Sequence, residues 1–130
     1  MGLVTITGTL ATDETPVRSA TSSFVIDVGD MFDTEQTVGT SYEMIATNSA
    51  AGEGVMWTVV QNLSETSEAV VRCYLDGTNY VFFPLPALGI LLIPNTIGTT
   101  STASPQRVSV VSARALAGSS TLRVIALFVA

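Results

Sequence analysis

Histidine and lysine are absent from these 130 residues, and cysteine occurs once. Without histidine there is no imidazole base, no Ser-His or Cys-His pair, and none of the commonest metal ligand. Without lysine there is no Schiff base and no phosphate-binding loop of the Walker type. Cys73 alone makes neither an internal disulfide nor a zinc site, and no Gly-x-Gly-x-x-Gly run is present. Carboxylates, serine, tyrosine and five arginines are what remains for catalysis. The chain therefore reads as non-enzymatic and free of cofactors.

Charge is scarce as well. Charged residues make up 12% of the chain and hydrophobic ones 47%, where a soluble domain carries about 25% charged residues. Ser, Thr, Gly and Ala must cover the surface, with apolar area left for other chains, which points to a structural or assembly protein. Long apolar runs are missing too. The longest, Val81 to Pro94, is broken by Pro84, Pro86 and Gly89 and falls short of the ~18 residues that span a bilayer, so no membrane association is expected. The first residues lack the basic and apolar regions of a signal peptide, and Ile6 stands where myristoylation needs Ser or Thr. Synthesis in the cytoplasm is the expectation.

The charge that exists is unevenly placed. Eleven acids lie at or before Asp76, against only Arg18 and Arg72, giving −9; the remainder carries Arg107, Arg114 and Arg123 and no acid, giving +3. Such a chain suits subunits that meet head to side, arginines of one against carboxylates of the next. Acids that merely keep an apolar protein soluble are the other reading. Three dispersed arginines on an acidic protein make a poor phosphate-binding patch, so nucleic acid is not an expected partner.

What is present is a β pattern throughout. Runs rich in Val, Ile, Thr and aromatics alternate with Gly, Asn, Asp, Ser and Pro clusters. Strands are predicted at Leu3 to Thr9, Phe24 to Val28, Tyr42 to Thr47, Val55 to Asn62, Ala69 to Leu75, Tyr80 to Leu85, Ile90 to Ile93, Arg107 to Ala113 and Thr121 to Val129. Asn48 to Gly54 and Asp76-Gly77 read as turns, and Ala11 to Ser23 and Gly98 to Gln106 as longer loops. This is the pattern of an all-β, single-domain antiparallel sandwich of jelly-roll type, residues 1–23 being candidates for an extended N-terminal arm. The period of two places Trp57 and Val59 on one core face and Val71, Cys73 and Leu75 on another, with Phe82 beside them. A reactive thiol is the alternative for Cys73, but no His or Lys exists to lower its pKa, and a packed, inert thiol is expected.

Asp27, Asp30, Asp33 and Glu35 crowd around an expected strand end, where an oxygen-rich loop could hold Ca²⁺ or simply be solvated. Their spacing is not that of an EF-hand. Asn62-Leu63-Ser64 matches a glycosylation acceptor, which means little without a secretory signal.

The final strand raises the question of an interface. Leu122, Val124, Ala126 and Phe128 share the expected core face, while Arg123, Ile125, Leu127 and Val129 share the other. A strand wetted on one side alternates apolar and polar, so something must cover Ile125, Leu127 and Val129. The loop Gly98 to Gln106 is one candidate cover and a neighbouring subunit the preferred one. Arg107, Arg114, Arg123, Ile125, Leu127 and Val129 are thus the expected interface with other chains.

From Val55 onward the order of elements is similar to a known pattern. A strand ends at Asn62, an Asn-x-Ser corner with Ser64 precedes the next strand, an Asp76-Gly77 turn follows, then an apolar segment bounded by Pro84 and Pro94, and a closing strand, "TLRVIALFVA". This resembles the small β-sandwiches among structural proteins of tailed bacteriophages, over residues 55–130. The resemblance implies a virion protein synthesised in the host cytoplasm, either a capsid decoration (cement) protein or a tail-fibre, knob or adaptor module that binds a host receptor. Decoration is the leading expectation: a homo-oligomer, most simply a trimer, on the phage head surface, bound to neighbouring major capsid subunits. Exposed Tyr42, Tyr74 and Tyr80 would serve the receptor-binding alternative.

Overall fold

The computed structural model describes residues 2–12, 18–47, 56–75, 79–98 and 106–129. Ten strands follow one another with no helix among the described residues: β1 (Leu3–Thr12), β2 (Arg18–Val38), β3 (Glu43–Thr47), β4 (Met56–Asn62), β5 (Ala69–Leu75), β6 (Tyr80–Leu85), β7 (Ile90–Ile93), β8 (Thr96–Ile97), β9 (Gln106–Ala115) and β10 (Ser120–Val129). They form two antiparallel sheets of one all-β domain. The first has the order β1-β2-β10-β4-β7; the second has the order β3-β9-β5-β6, with β8 also paired to β9. Their inner faces share one core, to which Val38, Val60, Ile93, Leu122 and Val124 come from the first sheet and Val71, Cys73, Leu75, Leu85, Val108 and Val111 from the second. Burial of this apolar surface is what holds the two layers together.

The predicted strands at Ala69 to Leu75, Tyr80 to Leu85 and Ile90 to Ile93 are observed with those bounds. The predicted turns at Asn48 to Gly54 and Asp76-Gly77 lie outside the described residues, as does most of the Gly98 to Gln106 loop. A corner at Asn62 is observed: its side-chain oxygen accepts from the Ser64 N–H (3.1 Å), and its amide donates to the Ser67 carbonyl (2.8 Å). Ser64 Oγ accepts from the Ser67 N–H in turn (3.0 Å). Asn62 is fully buried, so Asn62-Leu63-Ser64 is a structural bend built from local side-chain hydrogen bonds.

Three predicted core residues change sides. On β4, Thr58, Val60 and Asn62 face the core while Trp57 and Val59 lie half-buried on the other face. Phe82 is 56% exposed, and Val81, Phe83 and Leu85 point inward in its place. β6 is apolar on both faces and β4 carries apolar and polar residues on each, so the period of two alone does not choose between them. The choice of Thr58 leaves its hydroxyl buried without a hydrogen-bond partner.

The largest departure is β2. The acidic segment expected to be a loop past Val28 is instead strand, because β2 runs unbroken from Arg18 to Val38. Its second half pairs with β10 and its first half with β1, over ten residue pairs from Leu3 opposite Asp27 to Thr12 opposite Arg18. The β1-β2 pair is therefore a two-stranded ribbon, about 30 Å long at 3.4 Å per residue. It continues past the last β10 pair, Val129 opposite Val28. The loop expected from Ala11 to Ser23 is corrected as well: residues 11–12 belong to β1 and residues 18–23 to β2, because the two strands pair there, while residues 13–17 lie outside the described residues.

Candidate functional site

At the root of the ribbon, Phe128 lies opposite Asp30 and Val129 opposite Val28, so Gly29 is a bulge with no partner. One skipped residue inverts the alternation of side chains. Val28 thereby moves to the outer face of the first sheet, where it packs with Leu127 against Val4, Ile6, Trp57 and Ile125. Leu127 is 1% exposed. This corrects the expected interface: the chain's own β1 and β2 cover Leu127, and Ile125 belongs to the same cluster. The side chain of Val129 lies outside the described residues. Phe128 is half-buried against the main core, edge-to-face with Phe32 at 5.8 Å between ring centres.

Arg123 is also engaged within the chain. It donates to Asp33, Nε to Oδ1 at 3.0 Å and Nη2 to Oδ2 at 2.6 Å, and this bidentate bond holds the Asp33 carboxyl below its ordinary range. Both side chains are more than a third exposed, so the pair adds little to stability. Arg107, half-buried on β9, lies opposite Thr96 of β8. Asp27, Asp30, Asp33 and Glu35 are spread along an extended strand, and among the described residues no group of three or more His, Cys, Asp or Glu is placed to hold a metal ion.

Arg114 leads to a feature that spacing along the chain conceals. Its guanidinium lies 5.5 Å from the Tyr42 ring centre, and that of Arg72 lies 4.0 Å from the same ring, 5.2 Å from Tyr80 and 5.9 Å from Tyr74. Register explains the gathering. Arg72 stands opposite Phe82 on β6 and Ser112 on β9, and Tyr74 stands opposite Tyr80. Tyr42 enters just before β3, 6.4 Å from Phe82. The Tyr74 and Tyr80 hydroxyls share a hydrogen bond, which raises the Tyr74 pKa. Tyr80 and Phe82 are 44% and 56% exposed. The outer face of an antiparallel sheet is ordinarily polar; this one carries four aromatic rings and two guanidinium groups. The three tyrosines singled out from sequence are thus brought together, and the alternation of Arg72 with Tyr74 and of Tyr80 with Phe82 was the signal for the remainder.

Cys73 sits between Arg72 and Tyr74 but points the other way, fully buried in the main core. Burial pushes its thiol up to about 12. The neutral thiol favours the fold, so this contribution is complete below the ordinary thiol pKa and is lost as pH rises from there toward about 12. A thiol-specific chromogenic reagent should label Cys73 only in denaturant; labelling of the native chain at neutral pH would contradict its placement.

No known protein family, curated protein or solved structure matches this chain.

Proposed function

We propose that this chain is a non-enzymatic structural protein of a virion, of the capsid decoration type, which binds neighbouring major capsid subunits and stabilises the assembled phage head. The observation that carries this reading is the β1-β2 ribbon. Its pairing continues past the last β10 pair, and while Val4 and Ile6 pack against the domain, Leu3 at 71% and Val25 at 56% exposure stand on adjoining pairs of the other face. An arm of that length with apolar side chains in water is suited to lying across an adjacent subunit, where burying them contributes about 25 cal/mol per Å². A protein that binds only the assembled shell stabilises it by mass action. The chain's frequent crossing between sheets supports a sandwich of the jelly-roll kind.

The aromatic face of the second sheet favours a second reading, a tail-fibre, knob or adaptor module binding a host receptor. Copy number separates the two. Quantitative mass spectrometry of purified particles should find hundreds of copies per head, and Leu3→Glu with Val25→Glu should strip the protein from shells without unfolding it. A handful of copies would favour the tail reading, and absence from the particle would overturn both.

A further inference from the structure

We infer that the aromatic-arginine face of the second sheet docks against the acidic stretch of β2 on a second copy of this chain, so that copies join face to side. The inference deepens the assembly reading and rests on it only for its biological setting.

The face has the composition of an interface core, rich in Tyr, Phe and Arg and without acids. Tyr42, Arg72, Tyr74, Tyr80, Phe82 and Arg114 form it, and among the described residues neither guanidinium has a carboxylate partner. Arg72 Nε is buried with no hydrogen-bond acceptor. A guanidinium stacked on a ring keeps its in-plane N–H groups available, which is the geometry that grips a carboxylate with two bonds. The ligand this surface fits is therefore a carboxylate-bearing protein surface with apolar groups between its charges.

The chain carries such a surface on its other sheet. Asp27, Asp30 and Glu35 are exposed along β2; Arg123 is hydrogen-bonded to Asp33 and stands opposite Glu35, which also acts on it electrostatically. Met31 and Phe32 stand among them at 40% and 55% exposure. The Val28 N–H still donates to the Gly2 carbonyl at 2.9 Å, but from Gly29 onward, among the described residues, β2 pairs with β10 alone, so this stretch lies at a rim of the sheet. Acids with exposed apolar side chains complement arginines with exposed rings. Because the two surfaces differ and lie on different sheets, the contact is heterologous, and it closes into a ring where its rotation permits.

The test is sedimentation velocity on three full-length proteins: the natural chain, a face variant (Tyr80→Ser with Arg114→Glu) and a rim variant (Asp30→Lys with Glu35→Lys), each checked for its β spectrum and melting temperature. The natural chain should associate at micromolar concentration, less so at about 0.5 M salt than at about 0.05 M. Each variant alone should associate at least about tenfold more weakly. An equimolar mixture should yield heterodimers and nothing larger, since each partner keeps one working surface. A monomeric natural chain, oligomeric folded variants, or a mixture that fails to pair would overturn the inference. Binding of the same proteins to shells, measured in parallel, separates the two failures: a chain that decorates shells yet never self-associates sinks this contact and leaves the assembly reading standing.

Discussion

Leu127→Ala should lower the stability of the folded chain by about 2–5 kcal/mol and leave its state of association unchanged. The magnitude is that of a leucine truncated in a closed site, transfer free energy plus residual cavity. The site is closed because Leu127 is 1% exposed and is packed with Val28 against Val4, Ile6, Trp57 and Ile125. Urea denaturation followed by Trp57 fluorescence would measure the loss. Dissociation of an oligomer with the midpoint unmoved would mean that a neighbouring subunit, and not β1, covers the strand. The bulge at Gly29 supplies a companion check: deleting that residue sets Val28 beside Asp30 in plain alternation, still opposite Val129 and on the face of Leu127, so the deletion should cost less stability than Leu127→Ala.

Asn62→Ala should cost about 2–4 kcal/mol, more than the loss of an exposed hydrogen bond. The Asn62 side chain is fully buried, accepts from the Ser64 N–H, and donates to the Ser67 carbonyl at 2.8 Å and the Leu85 carbonyl at 3.4 Å. Alanine leaves those backbone groups without their partner, and an unsatisfied buried group costs about 1–3 kcal/mol. The same residue ties the β4-β5 corner to the end of β6, so the melting transition should fall by many degrees. Asn62→Asp keeps the acceptor but removes the amide donors and buries a charge, so it should be no milder than alanine. A variant within about 0.5 kcal/mol of the natural chain would show that the corner holds without this side chain.

How much of this was legible beforehand differs strand by strand. The bounds of β5, β6 and β7 follow from local chemistry alone: β-branched and aromatic runs closed by Pro, Gly and Asn. The Asn62-Ser64 corner was expected only through the resemblance, although most of its hydrogen bonds span a few residues. β2 was not legible. Gly29, Asp30 and Asp33 are poor strand formers, and they are extended because β10 offers a full partner for residues 28–38. Pairing across the sheet overrides local preference.

The interface residues show the same division. Arg123, Ile125 and Leu127 were rightly placed on one face of β10, but their partners are Asp33, Val4, Ile6 and Val28, far away in the chain. The Tyr and Arg residues of the second sheet meet because β5 pairs with β6 and β9 while Tyr42 is delivered by the crossing from β2 to β3. By itself the sequence determined the all-β class, the chemistry that is missing and the separation of charge, since these depend on composition and short-range pattern. Only the tertiary structure decided which face of β4 and β6 turns inward, what covers Leu127, and that aromatic rings gather around Arg72. A period of two sorts side chains into two faces, and it takes a second sheet, or a strand folded back, to make one of them the inside.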